Sequence, residues 1–141
     1  MSVYIPVALR NRLEAMDRGS CAYCQTSEAN TGISCACDHI LPLSKGGATE
    51  VDNLCLACRS CNECKGDSTQ GIDPLSGDIV ALFNPRLQYW YEHFQWSLDG
   101  TRIIGHTPTG RAIIITLRMN NQKIISARQR WVSAGWHPPE D

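Results

Sequence analysis

No stretch of this chain stays apolar for the roughly 18 residues that a bilayer-spanning helix needs. Its opening residues, MSVYIPVALRNRLEAM, lack the unbroken apolar segment of a secretion signal. A soluble, cytoplasmic protein with no membrane partner is the expectation. Internal repeats and low-complexity tracts are also missing, which argues against solenoids and disordered linkers. No charge of one sign dominates, the formal net charge being −1. At 141 residues the chain can bury one core, though not a large one.

Cysteine, by contrast, is plentiful, with eight in all. Without a secretion signal, cysteines in paired C-x-x-C spacing point to metal thiolates rather than disulfides. Cys21 and Cys24 form one pair, Cys58 and Cys61 the other, with 33 residues between them. Two such knuckles suit a tetrahedral zinc ion. Four protein ligands leave no position open for water, so the zinc is expected to be structural. Cys35, Cys37, Cys55 and Cys64 stand outside this pattern. They are either small packing residues or an irregular second metal site.

The charge is unevenly distributed. Residues 13–83 carry ten acidic and four basic side chains, whereas residues 84–137 carry seven basic side chains against Glu92 and Asp99. That basic half either attracts a polyanion or forms a solvated helix face. Arg111, Arg118, Arg128 and Arg130 are its candidates for phosphate contacts.

Apolar residues at Val7, Leu9, Leu13 and Met16 predict a short helix ahead of the first knuckle. A strand is expected over 33–38, stopped by Pro42, then a polar glycine-bearing loop, a second strand over 53–58, and a helix ending near Gly66. Beyond Gly71 the sequence predicts a turn in DPLSGD, a strand in IVALF, and a hairpin turning at Asp99-Gly100. TPTGRAIIITLRMN is ambiguous: Thr107-Pro108 reads as a helix start and Ile113, Ile114 and Ile115 favour a strand, but Ala112, Ile115 and Met119 recur at helical spacing and favour the helix. A last helix presents Ile124, Ile125, Arg128, Trp131 and Val132, and Gly135 closes it. Phe83, Trp90, Tyr91, Phe94 and Trp96 are expected to pack the hairpin or to offer a stacking platform for bases.

Between the knuckles lies DHILPLSKGGATEVDN. Asp38 is a hard oxygen donor suited to Mg²⁺ or Mn²⁺, and Asn62 offers a neutral carbonyl oxygen. A strand would turn Asp38 and His39 to opposite faces and so divide their work, the first towards an ion and the second towards a nucleophile.

C-x-Y-C, DHILPLSKGG, DNL and CRSCNECKGD, in that order over residues 21 to 67, resemble the HNH endonucleases. These are the zinc-knuckle branch of the ββα-metal, or His-Me finger, nucleases. The resemblance implies an α+β fold: a small ββα-metal core stapled by a four-cysteine zinc site, with an N-terminal helix and a C-terminal hairpin-plus-helix extension. It implies a nuclease core over residues 1–70 and an extension over 71–141 that packs on it and is not expected to fold independently. His39 would be the general base, Asn53 the residue that ties the long loop and orients His39, and Asp38 and Asn62 the ligands of one catalytic Mg²⁺ or Mn²⁺. Having asparagine at the last position makes this an H-N-N variant. Lys65, Arg59 and Lys45 would lie near the phosphate. The implied reaction is hydrolysis of phosphodiester bonds, most readily in double-stranded DNA, by a monomer or a homodimer. A non-catalytic zinc module that binds nucleic acid or protein, and an RNase, are the rival readings. The first would need only the cysteines.

Overall fold

The computed structural model describes residues 4–140, and the chain divides into two compact units, residues 1–69 and 70–141.

In the first unit, helix α1 (Val7–Met16) leads into the first knuckle. Its apolar stripe is thinner than the sequence suggests. Leu13 is the residue it buries, whereas Val7 and Met16 are exposed. Polar contacts hold the helix instead. Arg10 Nη2 donates to the Cys35 carbonyl at 2.7 Å and Arg10 Nη1 lies 3.2 Å from Cys37 Sγ. Just past the helix, the Asp17 carboxylate accepts the Leu56 amide at 2.8 Å. A short helix α2 (Glu28–Thr31), capped by Ser27, has no counterpart among the elements the sequence predicts.

Strands β1 (Ala36–His39) and β2 (Leu54–Ala57) pair antiparallel, with Cys37 opposite Leu56 and His39 opposite Leu54. The first strand starts later than predicted because the Glu28 carboxylate takes the Cys35 amide at 2.6 Å, before sheet pairing begins. All four residues of β2 are buried. Helix α3 (Arg59–Lys65) follows, with Cys58 at its N-cap and Gly66, at φ +51°, ending it. Strand, loop, strand, helix is thus the order of the ββα unit.

Among its described residues the second unit contains two hairpins and three helices. Strands β3 (Gln70–Ile72) and β4 (Ile79–Ala81) form the first hairpin. In its turn, buried Asp73 accepts from Leu75 N and Ser76 Oγ and pairs bidentately with Arg111, at 2.9 and 3.0 Å. The Arg111 guanidinium, before any other influence, holds the Asp73 carboxyl well below the usual carboxylate range. Helix α4 (Trp90–His93) runs into β5 (Phe94–Trp96), which pairs with β6 (Ile103–Gly105). Phe83, Trp90 and Phe94 are buried, with the Phe94 ring against the other two, while Tyr91 stays partly exposed.

Helix α5 (Pro108–Thr116) starts as the sequence predicts, with Thr107 Oγ1 accepting from Gly110 N. Its inner face differs. Ala112, Ile113 and Ile114 are buried, Ile115 is exposed, and Met119 is buried beyond the helix end. Helix α6 (Gln122–Ser133) buries Ile125, Arg128 and Trp131. Arg128 is fully buried, donates to the carbonyls of Thr101 and Met119, and lies over the Trp96 ring. Arg111 and Arg128 are therefore internal fasteners and not the phosphate contacts the sequence suggests.

Candidate active site and zinc site

The four cysteines of the two knuckles come together, their sulfur atoms all within 4.8 Å of one another. In each knuckle the amide of the second cysteine points at the sulfur of the first, at 3.4 Å in both. Cys24 and Cys58 bring the two knuckles to an S–S distance of 3.6 Å. Sulfurs at the corners of a zinc tetrahedron, with bonds of about 2.3 Å, stand roughly 3.8 Å apart. The four thiols therefore fit a structural zinc ion. Burial pushes the Cys21 thiol up, while hydrogen bonds from Cys21, Cys58 and Cys61 pull Cys24 down. Such a set cannot ionise together until a dication balances it.

Among the described residues no second cluster of this kind forms. Burial, with Glu28 beside it, pushes the Cys35 thiol up to about 12, so it packs as a neutral side chain. Cys37 faces Arg10, Cys55 is buried in β2, and Cys64 is half-buried on α3.

Strand alternation turns Asp38 inward and leaves His39 half-buried on the other face. The Asp38 carboxylate is 5% exposed. It accepts the Tyr23 hydroxyl at 2.6 Å and faces Lys65 Nζ at 3.1 Å. Burial pushes the Tyr23 phenol up, so the phenol stays protonated and donates. Both partners come from the knuckles, since Tyr23 lies between Cys21 and Cys24 and Lys65 stands one helical turn after Cys61.

Lys65 is not turned towards solvent, where a phosphate would meet it. It is 2% exposed, and its ammonium also donates to the carbonyls of His39 and Ile40, at 3.0 and 3.1 Å. Those three acceptors use its three donors and pin the end of β1. Lys65→Met should cost about 3–5 kcal/mol in chemical denaturation of the intact chain, because it strands a buried carboxylate. A loss under about 1 kcal/mol would show that the pair is not buried in solution.

Asn53 closes the loop between the strands. Its Oδ1 accepts the Leu41 amide at 2.8 Å, and its Nδ2 donates to the carbonyls of Leu41 and Ala48 at 3.0 and 2.8 Å. Its own carbonyl accepts the Ile40 amide at 2.8 Å. Gly47 allows this closure, since a Cβ there would collide with the Leu41 carbonyl oxygen. The loop carries Thr49 to His39, with Oγ1 3.0 Å from Nε2. Asn62 is half-exposed on α3, and Arg59 and Lys45 are exposed. Tyr23, Gly47 and Thr49 were missing from the sequence-derived site. The tyrosine of C-x-Y-C could have suggested the first, whereas Thr49 has no motif to mark it.

A ββα unit with a four-thiol cluster and a histidine at the end of its first strand is the arrangement of the ββα-metal fold. Residues 21–68, about a third of the chain, match the family model for the HNH endonuclease. No curated protein and no solved structure matches the chain.

Proposed function

We propose that this protein is a metal-dependent endonuclease that hydrolyses phosphodiester bonds in DNA, double-stranded DNA above all. The observation that carries this reading is the clamp on His39. Lys65 holds its carbonyl, Asn53 fastens the backbone on its C-terminal side, and Thr49 meets its ring. A module that needed only its zinc would have no use for a half-exposed imidazole gripped in this way.

In this reading His39 is the general base, and Asn53 and Asn62 complete an H-N-N set. His39 takes a proton from water as the water oxygen bonds to phosphorus. The bond from phosphorus to the leaving 3′ oxygen breaks, and that oxygen takes a proton from solvent. Asp38 and Asn62 offer the hard oxygens that Mg²⁺ or Mn²⁺ prefers. Asp38 already faces the Lys65 ammonium, which leaves Asn62 the more open of the two donors. Bound, the ion would supply positive charge at the scissile phosphate and the leaving oxygen. Exposed Arg59 and Lys45 replace buried Lys65 as the nearer candidates for the phosphate backbone.

Supercoiled plasmid tests the class of reaction. The protein with Mg²⁺ or Mn²⁺ should give nicked or linear DNA, and EDTA should stop it. Intact plasmid in every lane, under conditions where the zinc unit is folded, counts against DNA as the substrate. One centre cuts one strand, so linear product needs two protomers or two encounters.

A further inference from the structure

We infer that Thr49 is a positioning residue for His39: its hydroxyl oxygen accepts the Nε2 proton and leaves Nδ1 as the nitrogen that receives a proton. This rests on His39 being the general base. Strand β1 fixes the backbone of His39, but an imidazole on a fixed backbone can still flip and can carry its single proton on either nitrogen. The Thr49 oxygen, 3.0 Å from Nε2, breaks that symmetry. Among the described residues, no protein group hydrogen-bonds to Nδ1. Nδ1 is thus the nitrogen left for water.

The direction of the bond follows from what His39 must do. If Thr49 donated to Nε2, the ring proton would sit on Nδ1 and block the open nitrogen. If Nε2 donates to Thr49, the same hydrogen bond persists when Nδ1 takes up a proton, and nothing has to reorganise. Thr49 is half-exposed, so its own hydroxyl proton can go to water. Its placement is built in. Asn53 Nδ2 holds the Ala48 carbonyl at 2.8 Å, one residue before it, and Gly47 packs against Leu41, where no side chain fits. The loop therefore delivers a fixed acceptor to a fixed ring, as outer partners orient histidines in metal sites.

Long-range ¹H–¹⁵N correlation on histidine-labelled protein reads the tautomer directly, with the His39 signals assigned by their loss in His39→Ala. Wild type should show a protonated Nε2 and a bare Nδ1. Thr49→Val should mix the two tautomers, and Thr49→Ser should restore the wild-type pattern. His93, whose Nδ1 lies 2.6 Å from Thr107 Oγ1, should stay unchanged and serves as an internal control. In plasmid cleavage, Thr49→Val should lower kcat on the order of 10-fold with KM unchanged, and Thr49→Ser should stay within about 2-fold. A wild-type ring protonated at Nδ1 overturns the proposal, as does Thr49→Val with the wild-type pattern and rate. Wild-type cleavage by His39→Ala instead defeats the nuclease reading and leaves the tautomer result standing. If Thr49→Val fails to fold, the wild-type and serine spectra still decide.

Discussion

His39→Ala should lower plasmid cleavage on the order of 10²–10⁴-fold, the usual contribution of a positioned base. Its zinc content and circular dichroism should match wild type. The expectation follows from where the side chain points. The ring leaves β1 on the face opposite Asp38, and its one protein hydrogen bond among the described residues is to Thr49. Truncating it therefore removes no core contact comparable to Leu54 or Leu56, which are fully buried. The backbone carbonyl that Lys65 holds remains in place after the truncation. A mutant that cuts at the wild-type rate with intact zinc would falsify the assignment of His39 as base.

Removing zinc should have the largest effect on stability. Structural zinc contributes apparent free energies of roughly 10–16 kcal/mol in zinc-finger peptides, which are unfolded without it. Here the two knuckles, with 33 residues between them, are drawn together in a unit whose first helix buries little beyond Leu13. Chelation or Cys58→Ser should therefore unfold residues 1–69, seen as loss of dispersed amide signals from that unit. Retention of the first unit's spectrum after zinc is shown to be gone would rule out the staple.

The ββα unit was legible because its punctuation is chemical. Doubled C-x-x-C, Pro42 and Gly66 mark the ends of short elements that apolar periodicity alone would leave uncertain. Helix α5 was legible only in part, since Thr107-Pro108 marks its start but Ile113, Ile114 and Ile115 favour a strand, and Ile115, read as inward, is exposed. Strand β3 was not, because Gln70-Gly71-Ile72 has no alternation of its own and becomes a strand only by pairing with β4. Gly71 is also where a Cβ would run into Thr116 Oγ1, a requirement that comes from the packed helix. In the site, the four clustered cysteines were readable by type and spacing. The inward turn of Lys65 was not, because a lysine following a cysteine motif looks the same whether it ends in solvent or against a carboxylate. Arg111 and Arg128 show the same blindness, as formal charges that the fold consumes internally.

The origin of Asp38's two partners makes each knuckle a ruler. Tyr23 is measured off from Cys21 along a tight turn, and Lys65 from Cys61 along one turn of helix. An α-helix rotates by about 100° per residue, so one residue inserted between Cys61 and Lys65 would swing the ammonium off the carboxylate. The zinc ligands could remain perfect while the neighbour of His39 lost its countercharge. Spacing within C-x-Y-C and C-x-x-x-K is therefore under two constraints at once, one from the metal and one from the strand that carries the histidine.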